Sequence, residues 1–469
     1  MDGHMQSSQE RFKNGKALRV QVPREQHSKL NGFKGRDPVA ILAESDPSRV
    51  QSLLPVRYAR MLQSPFTFLR GAAAVMAADL ANAPMVGIPV QACGDCHLMN
   101  FGAFATPEDN ILFDINDFDE TLPGVDFTVD LKRLAASVAV AALAANLSEK
   151  RARALSEATV TAYRERIFAT YALSPLQVWH SRIDLEQQIT TITDKNLRRK
   201  LGTIIRKARG GGLEQDDNFP HLVAGDKPRI ADSPPLIYHL QNDDSGQDLD
   251  VASVFAAYRE TLAPDRRYVV DGYNLVDLAF KVVGVGSVGT FCAIGLFMSG
   301  DKAPLFLQIK EAQHSVLERI DPHLRRQGHQ GQRVVEGQRA LQAASDIFLG
   351  WTQDQASGRH FYIRQLKNRR LGSIGELVEA EALADYAALC GRTLARAHAR
   401  TGDAAMIAGY MGKGRSFDDA IAEFSMAYAE QTRLDHAALV VARSAVAEKG
   451  TATKPKVAPS VRSAMKARA

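Results

Sequence analysis

The sequence predicts a mixed α+β chain, helical over most of its length, with one block that forms an antiparallel sheet. Three observations carry this. Residues 90–120, VQACGDCHLMNFGAFATPEDNILFDINDFDE, run from a strand through a loop at Gly94-Asp95 to an apolar run at 111–113 and a cluster of carboxylates. Residues 282–312 hold a glycine-rich segment, an apolar run (291–298), a turn at Gly300-Asp301 and a second run ending in Lys310, which reads as strand, turn and strand. Elsewhere apolar residues recur at helical spacing, as in Leu131, Leu134, Val138 and Ala142.

A chain of 469 residues, 45% of them hydrophobic, has the length for two or three domains. Its four cysteines, without a secretory leader, are expected in a reducing compartment. No apolar run approaches the ~18 residues of a membrane span, so the expected location is cytoplasmic, with no membrane partner. The net charge of +5 is uneven: residues 11–36 carry eight Lys/Arg against one Glu, and residues 449–469 carry six basic residues and no acid. The basic excess therefore belongs to the ends. Terminal charge runs are mostly solvated, and no aromatic interleaving supports a nucleic-acid partner.

In chain order, residues 1–45 read as a basic, mobile arm. Residues 46–83 are helical and include SPFTFLRG (64–71), with Phe68, Ala72, Val75, Met76 and Leu80 on one face. Arg70 meets an acidic ligand group or, as such arginines do more often, a nearby carboxylate. Asp130 opens the next helix as an N-cap or as a buried anchor for the preceding loop, and the cap alone accounts for it. Residues 148–207 are helical and charged. The glycine triplet 210–212 breaks the chain, and 219–235 is loop or hairpin. A helix at 251–262 precedes the glycine-rich block, HFYIRQL (360–366) is a strand, and 380–400 and 417–441 are helices. The segments expected are 46–250, the first part of a helical region with its insertion; 251–370, the sheet; 371–445, returning helices; and 446–469, a disordered basic tail.

The chemistry-bearing residues fall in the first two blocks. Asp95 and Asn100 share one loop, and Asp114, Asp117, Asp119 and Glu120 follow closely. Such a set supplies oxygens for a hard cation and a carboxylate to orient a hydroxyl. Gly284-x-Gly286-x-x-Gly289, with Ser287 inside it, lets backbone N–H groups approach phosphate oxygens. A dinucleotide-binding glycine turn opens a helix; here a strand, a turn and a strand bearing Lys310 follow. Cys93-x-x-Cys96 reads as a pair of structural thiols, a reversible disulfide beside Asp95 being the minor alternative.

Gly94-Asp95-x-His97-x-x-Asn100 resembles the catalytic loop of aminoglycoside-phosphotransferase-like and protein kinases. Cys93 stands where that family usually has His. The resemblance implies that Asp95 positions an acceptor hydroxyl and that Asn100 helps to hold magnesium. His97 completes the loop, either as a metal ligand or, as in most such loops, bonded to backbone or a carboxylate. The principal metal carboxylate is Asp114 by its distance from Asn100, or Asp117 by the lettering Asp117-Phe118-Asp119, with Asp119 as a third candidate. Gly284, Gly286, Ser287, Gly289 and Lys310 would hold the phosphates of ATP, with Glu336, or next Glu318, paired to Lys310. Strand 360–366 would lead to the hinge between lobes.

Kinase-like chains place the glycine loop before the catalytic loop, and this chain reverses them. A circular permutation reconciles the two orders. In this order SPFTFLRG, CGDCHLMNFG, FDINDFDE, GVGSVGT and LQIKEA are similar to the bacterial family called domain of unknown function 2252, over residues 56–440. The implied fold is two-lobed, protein-kinase-like and circularly permuted, with a small antiparallel-sheet lobe and a larger helical lobe. The implied activity is ATP- and magnesium-dependent phosphoryl transfer, with a nucleotide and a small-molecule acceptor as partners. A nucleotide-binding pseudokinase or scaffold, and adenylyl transfer on the same fold, are the alternatives.

Overall fold

The helix Thr128–Ala144 buries 14 of its 17 residues, as expected of a helix that is apolar on nearly every side. The computed structural model describes residues 6–30, 35–106, 108–209, 220–223, 228–234, 236–239, 250–282, 284–366 and 379–452. The glycine triplet at 210–212 lies outside these; of the disordered tail expected over 446–469, residues 446–452 instead continue the helix Ser416–Ala452, and the rest lies outside the described residues. Around the central helix pack Glu149–Thr170, Leu383–Thr401 and Ser416–Ala452. Glu149–Thr170 and Leu383–Thr401 approach so closely that a Cβ on Gly391 would fall on the carbonyl oxygen of Thr159. Local sequence sets the helix starts: in Pro65–Gly71, Ser64 caps Thr67 N and Pro65 takes the first position.

Two short antiparallel ladders stand beside this helical body. β1 (Pro89–Ala92) pairs with β4 (Leu122–Asp126), and β2 (Phe101–Ala105) with β3 (Ile111–Ile115). Between them run the loops 93–100 and 116–121. A small hairpin, β5 (Leu222–Val223) with β6 (Arg229–Ile230), falls where a loop or hairpin was expected.

The larger sheet has six antiparallel strands in the order β11-β12-β10-β9-β8-β7, formed by β7 (Ile237–Tyr238), β8 (Tyr273–Lys281), β9 (Cys292–Ser299), β10 (Pro304–Glu311), β11 (Gly350–Gln353) and β12 (His360–Gln365). The glycine turn links β8 to β9. The helix Gln330–Leu341 links β10 to β11. Alternation along the strands gives two faces. On the outer face Phe280, Phe297, Leu307, Ile309, Phe361 and Ile363 pack against Tyr258 and Leu262. The inner face carries Lys310, opposite Cys292 and Tyr362, and turns toward the short ladders. The chain is thus a mixed α+β protein, mostly helical, with one curled antiparallel sheet. No helix among the described residues is long and apolar enough to cross a membrane.

The mobile arm expected over residues 1–45 is corrected for its described part. Helix Ser8–Ala17 lies against Ala404–Met411, where a Cβ on Gly409 would strike the Phe12 carbonyl. Arg19 Nε donates to Tyr410 O at 2.8 Å and Arg24 Nη1 to Met411 O at 3.0 Å. These cations meet the free carbonyls at the C-terminal end of that helix, where positive charge is favoured. His27 is fully buried, its Nε2 at 2.7 Å from the Tyr410 hydroxyl. The basic composition that suggests a solvated arm serves as a helix cap instead.

Because Gly391 sits on the Thr159 carbonyl, Gly391→Ala is expected to lower stability by about 1–3 kcal/mol. Urea unfolding checks this; an unchanged midpoint would mean that the helix pair yields without cost.

Candidate functional site

Loop 93–100 turns on Gly94, whose φ of 93° favours glycine. A side chain there would also strike the Glu120 backbone. Cys93 N and Gly94 N donate to the Asp130 carboxylate at 2.7 and 3.0 Å. His398 Nε2 approaches the same carboxylate at 3.3 Å. Asp130 is therefore the buried anchor of the loop and not the cap, which corrects the simpler reading. Just before the helix, Asp126 accepts from Thr128 N at 3.0 Å and from its Oγ1 at 2.6 Å.

One helical turn on, Arg133 is buried and donates through Nε to Asp95 Oδ1 at 2.6 Å and through Nη2 to Leu69 O at 2.8 Å. The sequence reading missed Arg133. Its signal was the spacing of three from Asp130, which puts both on one helix face. Asp95 keeps 21% of its side chain exposed, with Oδ2 at 3.6 Å from His97 Nε2. His97 Nδ1 accepts from Met99 N at 3.2 Å. Burial pushes its imidazole down to about 4, so it is neutral at physiological pH and braces the loop. Asn100 Nδ2 donates to Asp95 O at 2.6 Å, and Asn100 O accepts from Asn116 N at 2.9 Å. Asp95, His97 and Asn100 are thus brought together, and Asn100 is tied to the carboxylate segment.

That segment separates the three metal candidates. Asp114 is 1% exposed; its Oδ1 pairs with buried Arg396 and its Oδ2 accepts from Ala343 N at 2.9 Å. Both oxygens are engaged in the core. Asp119 is the junction: it pairs with Lys310 through Oδ2, which also accepts from Ser287 Oγ at 3.1 Å, while Oδ1 accepts from Tyr362 OH at 2.7 Å. Asp117 is part-exposed, and among the described residues its carboxylate accepts one hydrogen bond, from Asp119 N at 3.2 Å. Burial pushes the Asp117 carboxyl up, but Lys310 and Arg364 outweigh this and hold it below the usual range.

Lys310 is 3% exposed. Burial acts to lower its pKa, and Asp119, Tyr362 and Asp117 more than reverse that, so the amine stays charged. The expected partners are corrected. Glu336 is exposed, bonded to Gln332 at 2.7 Å and facing Arg326 at 3.7 Å, and Glu318 pairs with His314 at 3.1 Å. The buried face of Gln330–Leu341 instead presents Arg333, which donates to Thr121 O, to Asp119 O at 2.9 Å and to Gln313 O at 2.7 Å.

The glycine turn closes the site from the sheet side. Gly284 and Gly289 have φ of 68° and 90°. Three of its carbonyls bond to the segment 49–60: Gly284 O accepts from Arg60, Val288 O from Arg49 Nη1 at 2.6 Å and Gly289 O from Val50 N at 2.7 Å. Gly286 lies over the end of Pro65–Gly71, where a Cβ would meet Arg70 O at 3.3 Å. Ser287 docks on Asp119, as above. The N–H groups of Val285, Gly286, Ser287 and Gly289 have no partner among the described residues. Such a run of N–H groups is an anion cradle.

No group of three His, Cys, Asp or Glu among the described residues could hold a metal ion. Magnesium, however, needs one or two protein oxygens, the rest coming from phosphates and water. The Asp117 carboxylate and the Asn100 amide fit that requirement, and Asp114 does not. Cys93 and Cys96 are free and buried, and burial raises both thiols' pKa values, which disfavours the reactive thiolate.

Residues 49–442 match the family described as "Uncharacterized protein conserved in bacteria (DUF2252)". The chain belongs to this family. No curated protein matches it, and no solved structure does. All of the loop, carboxylate, lysine and glycine residues above fall within the DUF2252 span, whereas the capping residues Arg19 and Arg24 precede it.

Glu120, beneath Gly94, accepts from Val316 N at 2.7 Å, and burial pushes its carboxyl up from 4.5 to about 7. A raised carboxyl pKa means that its contribution to stability is complete below its unfolded value and is lost as pH rises through about 7. Glu120→Gln removes that loss. Urea unfolding from pH 5 to 8 is expected to show the variant gaining on the wild type by up to about 3 kcal/mol; a constant difference would contradict the assignment.

Proposed function

We propose that the chain is an ATP- and magnesium-dependent phosphotransferase acting on a hydroxyl of a small molecule, on a two-lobed, circularly permuted kinase-like fold. The observation that carries this is the contact of Lys310 with Asp119 across 191 positions of sequence. With Ser287 on the same carboxylate, it joins the lysine strand and the glycine turn to segment 116–121, which Asn116 ties to the Asp95 loop.

Two further features support the reading. Strand, glycine turn, strand, lysine strand and helix follow one another as in a kinase small lobe. The permutation has a junction: the end of Leu383–Thr401 abuts the start of β1, with Gln91 N donating to Thr401 Oγ1 at 3.2 Å across 310 positions. A Cβ on Gly402 would lie 2.9 Å from Pro89 O. An uninterrupted kinase-like chain would pass from that helix into that strand.

In this reading Asp95, braced by Arg133 and neutral His97, orients the acceptor hydroxyl and takes its proton as the oxygen bonds to the γ-phosphorus and the bond from that phosphorus to the bridging oxygen breaks, releasing ADP. Lys310 and the free N–H groups of the glycine turn hold the phosphates. Asn100 and Asp117 would hold magnesium, which neutralises charge on the transferred phosphoryl group. The acceleration comes from positioning and charge, with no covalent intermediate on the protein.

A regulatory nucleotide-binding scaffold is the second reading, favoured by one observation: among the described residues Lys310 has no helix-borne Glu partner. Turnover separates the two. With Mg-ATP and a panel of hydroxyl compounds, Asp95→Ala is expected to lose phosphoryl transfer by about 10²-fold or more and to retain nucleotide binding. Undiminished transfer in the variant would sink the enzymatic assignment, and binding without transfer in the wild type would favour the scaffold.

A further inference from the structure

Register places Gln308 of β10 opposite Ile294 and Arg364, two residues from Lys310 and its opposites Cys292 and Tyr362. All of these share the inner face of the sheet. Farther along, that face is apolar, and Ile294, Leu296, Phe306 and Leu366 are already covered by Ile230 and Ile237. The part left facing the carboxylates is polar.

Within that part the side chains form a relay that fixes one guanidinium. Gln308 Nε2 donates to Cys292 Sγ at 3.2 Å, and Arg364 Nε donates to Gln308 Oε1 at 3.0 Å. The Arg364 guanidinium also lies over the Tyr362 ring, 5.5 Å from its centroid. Among the described residues the two Nη groups of Arg364 make no hydrogen bond. Register sets Arg364 diagonally across from Lys310 on this face, with Tyr362 directly opposite the lysine.

An arginine held through Nε, with its fork open beside a buried lysine, suits an anion with paired oxygens. We infer that Arg364 is a second polyphosphate-binding cation, gripping one phosphate of the nucleotide by its fork while Lys310 meets a neighbouring phosphate as a point charge. Gln308 is its positioning residue. The inference rests on the nucleotide reading of the site and adds a recognition point to it.

Calorimetric titration of the full chain with Mg-ATP and with AMP tests it. Arg364→Met is expected to weaken ATP binding about tenfold or more, with a smaller loss for AMP. Arg364→Lys should recover part of the ATP affinity, because charge returns without the fork. Thermal unfolding of both variants reports whether the fold survives. ATP affinity within twofold of wild type in Arg364→Met, alongside a loss in Lys310→Met, would overturn the inference. So would equal losses for ATP and AMP, which mark a packing role. If the wild type binds neither ligand, the nucleotide reading itself fails and the inference falls with it.

Discussion

A single buried amine governs how the two halves of this protein meet. Taking an ammonium out of water costs several kcal/mol unless it is closely paired, and Lys310 is paired by Asp119, with the Tyr362 hydroxyl on the carboxylate's other oxygen. The sheet cannot move away from segment 116–121 without uncovering that charge. Ser287 of the glycine turn shares the Asp119 carboxylate, and Arg333 grips the backbone of residues 119 and 121. One carboxylate therefore sets the spacing of the turn, the lysine strand and segment 116–121.

The Asp95 loop is fixed from the opposite side. Asp130 and Arg133, one turn apart on the helix Thr128–Ala144, hold the loop backbone and the Asp95 side chain respectively. A group held from a rigid helix keeps its geometry better than one held by loop contacts alone. The Asn116-to-Asn100 bond then couples the two supports. Asp95 and Asp117 thus keep partial exposure within a frame whose anchors Asp130, Arg133, Lys310 and Arg333 are buried.

Much of this was legible in the lettering, and what was not shares a cause. The Gly94 turn, the Asp95–Asn100 spacing, the glycine turn between two strands and the strand position of Lys310 are local patterns, set by backbone chemistry within a few residues. The misreadings all needed partners remote in sequence. Asp130 at a helix start looks like a cap, and only packing under Cys93 and Gly94 makes it an anchor. Helical periodicity could not say which side of Gln330–Leu341 faces the strand, so Glu336 was favoured over a lysine partner in segment 116–121. Asp114 ends an apolar run as a metal ligand would, but Arg396, 282 positions away, engages it. The basic N-terminal region reads as solvated until the helix end that it caps, 391 positions from Arg19, is in view.

Whether the carboxylate segment and the lysine strand serve one ligand is tested most directly by the magnesium dependence of ATP affinity in Asp117→Asn and Asp114→Asn. Shared service predicts that the wild type binds ATP more tightly with magnesium, and that Asp117→Asn loses this gain while keeping its magnesium-free affinity. Asp114→Asn, where folded, should keep the gain. A full magnesium gain in Asp117→Asn would contradict a site built by these two segments.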